Sequence, residues 1–145
     1  MIAVALDPGI TTGYAIGIID DGMMTVVSGQ ERYTHYSLWK FLKEETPDFI
    51  ISESFEFRRA ARDNLILYSI EMIGVIRLYC EGYDKPLHMQ SAATGKGYYN
   101  DSKLQSARLY KPTRPHANDA VRHLLQWFTF GPGFKYNTKG FKSGA

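Results

Sequence analysis

The sequence predicts an α/β domain built on a mixed five-stranded sheet, three antiparallel strands followed by two parallel ones, with helices on its faces. Three observations predict it. The first thirty residues hold three apolar segments separated by turn signals. A helical pattern, a short apolar strand, a long apolar helix and another short strand then alternate. The last strongly periodic segment, residues 116–130, is an amphipathic helix.

Taken in order, Ile2–Leu6 is an apolar strand that runs into Asp7 and breaks at Pro8-Gly9. Proline cannot donate to a ladder and glycine opens unusual backbone angles, so Asp7 stands at a strand tip. Gly9 and Gly13 let another backbone come close to that tip. Thr12–Ile19 alternates as a second strand, Asp20-Asp21-Gly22 is a hairpin signal, and Met23–Ser28 is a third strand. Leu38–Glu45 reads as a helix stopped by Thr46-Pro47. Asp48–Ser52 is a strand that ends at Glu53. Entry from a helix makes it parallel to the first strand by a crossover, which puts Glu53 at the same end of the sheet as Asp7. Asp63 caps a long helix from Asn64 to about Glu81. Leu65, Ser69, Met72, Ile73, Ile76 and Cys80 form one stripe of it, and Ile66, Leu67, Ile70 and Val75 lie elsewhere round the axis. Such a helix is buried on more than one side, by a second copy of the chain or by the chain's own elements. Pro86–Gln90 is a further strand, Ser91–Asn100 a loop, and Asp101 caps a short helix through Ala107.

Length and composition fit one domain over residues 1–130, followed by a basic, Gly-rich flexible tail at 131–145. Apolar residues make up 44% and charged residues 22%, which excludes a disordered chain. A single cysteine, Cys80, excludes an intramolecular disulfide framework and fits a reducing compartment. No stretch is long enough to span a membrane and no basic leader precedes the first strand, so the expected location is the cytoplasm. The net charge of +2 hides an asymmetry: residues 1–84 sum to −6 and residues 85–145 to +8. A basic half calls for a polyanionic partner.

The chemistry-bearing residues follow from this layout. Asp7 and Glu53 converge at the carboxyl ends of neighbouring parallel strands. In the final helix His116, Asp119 and His123 share a stripe along the edge of the apolar face, with Arg122 pointing away. His116 and Asp119, three apart, meet at the first turn, where the helix N-terminus also favours anions. Three acids and a histidine make an oxygen-rich pocket for hard divalent cations. Glu56 competes with Glu53 but lies three residues further into the loop. Basic residues with aromatic neighbours suit nucleic acid: Arg58, Arg59, Arg62, Lys96, Lys103, Lys111 and Arg114, with Phe55, Phe57, Tyr98, Tyr99 and Tyr110 among them. There is no Cys cluster for zinc, no nucleophile elbow and no P-loop lysine motif.

On LDPGITTG at 6–13, IISESF at 50–55, the helix near 64–81, Gln90 and HANDAVRHLL at 116–125, the chain resembles the RuvC-like Holliday junction resolvases, particularly the compact phage-encoded ones, of the ribonuclease H-like superfamily. The resemblance implies that Asp7, Glu53, His116 and Asp119 form a site for two Mg²⁺ ions, with Mn²⁺ substituting. Asp7 would bridge both ions, and Glu53 and Asp119 would each help hold one. His116 would ligate a metal or orient the scissile phosphate. His123 would support Asp119 from behind or simply pack. The resemblance also implies a homodimer that cuts opposed strands of a four-way DNA junction, leaving 5′-phosphate and 3′-hydroxyl ends. Other readings remain at this point. An RNA-processing or flap nuclease would keep the fold, an actin-like ATPase or sugar-kinase half would use the first loop for phosphate, and a junction-binding protein would not cut.

Overall fold

The computed structural model describes residues 1–55, 64–131 and 141–143, with backbone alone for 64–66 and 141–143. Arg58, Arg59, Arg62, Glu56, Phe57 and the expected cap Asp63 lie outside the described residues.

The strands are β1 (Ile2–Asp7), β2 (Thr12–Asp20), β3 (Met23–Glu31), β4 (Phe49–Glu53), β5 (Leu87–Gln90) and β6 (Phe141–Ser143). The helices are α1 (His35–Glu45), α2 (Asn64–Gly82), α3 (Ala92–Tyr98), α4 (Asp101–Ser106) and α5 (Pro115–Phe130). The sheet order is β5-β4-β1-β2-β3-β6. The five expected strands are all there: β1, β2 and β3 pair antiparallel, and β4 and β5 extend the sheet parallel to β1. The short β6 adds to the free edge of β3 in parallel, so the segment expected as a tail contributes a strand. The β2–β3 turn is the predicted two-residue hairpin, with Asp21 (φ 46°) and Gly22 (φ 74°) both left-handed.

Alternation along β1 and β4 sends neighbouring residues to opposite faces. Val4, Leu6 and Ile50 pack with Leu38 and Leu42 of α1 and Met72, Ile76 and Tyr79 of α2. Ala3, Ala5 and Ile51 pack with Ala120, Val121, Leu124 and Phe128 of α5. Small alanines on that side let α5 lie close to the sheet, directly beneath the strand ends that carry the acids.

Two helices depart from expectation. Helix α1 starts one turn early, because the Thr34 hydroxyl accepts from Ser37 N (3.0 Å) while Ser37 Oγ accepts from Thr34 N (2.8 Å). Residues 92–98, expected as loop, form α3, capped by Ser91, whose hydroxyl accepts from Thr94 N. The next helix, α4, is capped by Asn100 rather than Asp101.

Candidate active site

Asp7 and Glu53 are the last residues of β1 and β4, and the parallel register pairs Leu6 with Ser52, one step before them. Glu53 is in turn opposite Gln90, the last residue of β5. Three polar side chains therefore stand in a row at the carboxyl edge of the sheet, where open α/β sheets place their sites.

Helix α5 is brought to this edge by Gly13. Gly13 sits opposite Asp7 in the antiparallel ladder, and a Cβ there would collide with the His116 carbonyl. The close backbone approach expected at this glycine is thus made by the first turn of α5. It sets His116 Nδ1 2.8 Å from Asp7 Oδ2. The N-terminus of α5 does not stay open for an anion: Gln30 Oε1 accepts from His116 N (3.1 Å) and Ala117 N (3.4 Å). That expectation is corrected by a side chain from the end of β3, where orphan helix N–H groups are satisfied internally.

His123 serves a different acid from the one expected. Its Nε2 is 2.8 Å from Glu53 Oε2 and its Nδ1 is 2.8 Å from Gln90 Oε1. One buried ring thus joins α5 to the ends of β4 and β5 and fixes the Glu53 carboxylate. Gly95 makes room for it: a Cβ there would stand 3.1 Å from His123 Cε1.

Arg122, expected to point away from the site, is buried instead and donates through Nη1 to Asp119 Oδ1. Its Nε donates to the Tyr99 carbonyl at 2.8 Å, and its Nη2 pairs with Asp101. The α3–α4 segment covers that side of α5 and supplies those acceptors. Lys96 Nζ lies 3.4 Å from the other Asp119 oxygen, Oδ2.

Asp7, Glu53 and His116 line one cleft of about 500 Å³ together with Gly9, Thr11, Phe55 and Ser69. Asp119 lines a neighbouring cavity of about 430 Å³ with Lys96, Asp101 and Arg122. Burial pushes the Asp7 carboxyl above its ordinary range; the His116 hydrogen bond opposes this, while the charges of Glu53 and Asp119 add to it. The bond to Asp7 holds the His116 imidazole above its usual value; partial burial opposes this, and the charges of Asp7, Asp119 and Glu53 add to it. Each acid is turned onto its own protein partner. Among the described residues, no three His, Cys, Asp or Glu side chains lie close enough to hold an ion in common. The donor chemistry still fits a hard cation: the charges of Glu53 and Asp119 raise the proton affinity of buried Asp7, a concentration of negative charge that such an ion relieves.

Of the basic residues, Lys96, Lys103 and Arg114 are exposed. Lys103 Nζ lies 3.2 Å from the centroid of the exposed Tyr98 ring. Lys111 is partly committed to the fold, its ammonium donating to the Ser28 carbonyl. Tyr99 is buried, its hydroxyl paired with Thr129, so it offers no stacking face, and Tyr110 is partly buried against the core. Gln30, Gln90 and Arg122 are the site residues that sequence reasoning left without a role.

The chain has the ribonuclease H-like fold, with Asp7 and Glu53 at the carboxyl ends of β1 and β4. Among solved structures it is similar to Thermus thermophilus RuvC bound to a Holliday junction substrate, with TM-score 0.66, 16% identity, and 87% of this chain and 92% of that one covered. Another structure of T. thermophilus RuvC aligns with TM-score 0.65 and 15% identity over the same shares. The yeast mitochondrial Holliday junction resolvase Ydc2 aligns with TM-score 0.56 and 11% identity over 86% of this chain and 76% of its own. These are the resolvases the motifs resemble, and at such identities the likeness establishes the shared fold. No protein-family model matches the chain, and no curated protein matches it in sequence.

Proposed function

We propose that this chain is a metal-dependent, structure-specific endonuclease that resolves four-way DNA junctions by hydrolysing phosphodiesters in paired nicks. The observation that carries the reading is the convergence of Asp7, Glu53 and His116 on one cleft, with the charges of Glu53 and Asp119 both raising the proton affinity of buried Asp7. Asp7, Glu53, His116 and Asp119 would hold two Mg²⁺ or Mn²⁺ ions. Bound there, the ions supply an activated water and charge stabilisation at the leaving oxygen.

The chain's own residues do the rest. Asp7 accepts from His116 Nδ1 and fixes the ring, which leaves Nε2 either to ligate one ion as the neutral imidazole or, when the ring is protonated, to donate to a phosphate oxygen of the strand to be cut. His123 holds the Glu53 carboxylate in place through its Nε2. Hydrolysis forms a bond from water oxygen to phosphorus and breaks the bond to the 3′ oxygen. The products are a 5′-phosphate and a 3′-hydroxyl.

The substrate assignment rests on the basic half of the chain and on the bound junction of the similar RuvC complex. Lys96, Lys103 and Arg114, with Arg58, Arg59 and Arg62, form the phosphate-binding set, and residues 131–145 add three lysines. The homodimer is supported by α2. One stripe of this helix is buried, yet Leu67, Ile70 and Leu78 are 59%, 43% and 60% exposed on another. Gly74 lies among them with open space where a Cβ would be, which lets a second helix come close.

The test is a substrate panel of labelled linear duplex, flap, fork, four-way junction and RNA hybrid, with and without Mg²⁺. Symmetrical paired nicks are expected in the four-way junction, and none without the cation. Preferred cutting of flaps or RNA hybrids would move the assignment to another nuclease of this fold.

A further inference from the structure

Among the described residues, Asp119 is the acid of the proposed site that meets two side-chain cations of different character. Arg122 is 8% exposed and each of its donor groups is engaged: Nη1 on Asp119 Oδ1, Nε on the Tyr99 carbonyl, Nη2 on Asp101. A planar guanidinium held by a backbone carbonyl and two carboxylates has no freedom to leave. Lys96 meets the other oxygen, Oδ2, at 3.4 Å, through a side chain that is 60% exposed. An exposed lysine pair of that length is weak, entropically costly and screened by salt.

Resting on the proposed hydrolytic reading, we infer that Arg122 is a positioning residue for Asp119, while Lys96 is a displaceable counter-ion on the oxygen that a divalent cation takes. Arg122 fixes the orientation of the carboxylate and leaves Oδ2 as the donor. Lys96 neutralises that donor until a cation arrives, and then swings into the cavity of about 430 Å³ that Lys96, Asp119 and Arg122 share. The same guanidinium ties Asp119 to Tyr99 and Asp101. The segment bearing Lys96, Tyr98 and Lys103 is therefore braced against the acid. A DNA phosphate that draws Lys96 away frees Oδ2 at the moment substrate is bound.

The two roles give opposite signs in one experiment. Mn²⁺ binding to the full chain without DNA is measured by calorimetry and by the Mn²⁺ paramagnetic resonance spectrum at fixed ionic strength. Lys96→Met removes a competing charge and tightens Mn²⁺ binding several-fold. Arg122→Gln leaves Asp119 unoriented and weakens it tenfold or more, and Arg122→Lys recovers part of the loss. Were Arg122 only a competing charge, Arg122→Gln would tighten Mn²⁺ like Lys96→Met; tightening, or an unchanged affinity, overturns the inference. If Arg122→Gln does not fold, Arg122→Lys decides alone: a several-fold weakening is expected, and wild-type affinity overturns it. Asp7→Asn separates the two levels. If Mn²⁺ binding to the wild type does not depend on Asp7, the hydrolytic reading itself fails. If it does depend on Asp7 and the Arg122 variants bind as the wild type does, only the positioning role falls.

Discussion

Replacing Gly13 by alanine strikes the one point where sheet and helix place His116 against Asp7. The backbone at Gly13 is not left-handed, so alanine brings no conformational strain, and the whole effect is steric. The new Cβ would stand 2.9 Å from Ala117 N and closer still to the His116 carbonyl. Comfortable packing needs about 3.5–4.0 Å, so the first turn of α5 must withdraw by roughly 1 Å or more. Overpacking of that kind costs about 1–3 kcal/mol. At about 2–4 °C per kcal/mol for a chain of this size, the thermal midpoint should fall by about 2–12 °C. The 2.8 Å bond between His116 and Asp7 stretches with the helix. A displacement of about 1 Å at a reacting group costs about 100-fold in rate. The assay is single-turnover cleavage of a labelled four-way junction beside a thermal melt. Gly97→Ala is the control, because nothing lies within 4 Å of a Cβ there. A Gly13→Ala protein that melts within a degree of wild type and cuts at its rate would refute this account of how α5 is seated.

Four further outcomes follow from the same geometry. In chelator, Asp7→Asn should gain on the wild type in thermal midpoint as pH rises. The folded-state values of both Asp7 and His116 are raised, so their contributions are full at low pH and are lost as pH climbs through those values; a gap that shrinks with rising pH would contradict the burial argument. His123→Gln should slow cleavage about 10–100-fold with junction binding unchanged, because Glu53 loses its support; a kinetic comparison at saturating substrate checks it. Leu78→Glu on the exposed stripe of α2 should shift the chain to monomer in sedimentation and uncouple the paired nicks. Neutralising Lys96, Lys103 and Arg114 with Arg58, Arg59 and Arg62 should weaken junction binding and flatten its salt dependence by about 0.9 in log–log slope for each phosphate left without its cation, while Lys111→Gln does less, since its ammonium is held by Ser28.

Much of the fold was legible because strand ends and turns have strong local signatures. Asp-Pro-Gly after an apolar run, Asp-Gly in the hairpin and Thr-Pro after a helix fixed β1, the β2–β3 turn and the end of α1. That Asp7 and Glu53 share one end of the sheet then follows from the crossover rule, and the structure supplies the register. Helix α3 was hidden by Gly95 and Gly97, which lower helix propensity; Gly95 is there because the His123 ring occupies the space of a side chain. The partners of His123 and Arg122 could not be read from a helical wheel. Projection gives a direction, but which element covers that direction depends on where residues 90–101 return to the sheet. Gln30 gave no signal, because a neutral amide has no charge or spacing that marks it, and Gln90 was marked only by the family resemblance, which assigned it no role.

The most direct measurement of the central claim compares Asp7→Asn, Glu53→Gln and Asp119→Asn side by side, for binding to and Mg²⁺-dependent cleavage of one labelled four-way junction. Each should bind close to wild type and leave the junction uncut, because the three acids act as one site. Normal cleavage by any one of them would take that residue out of the site and break the account.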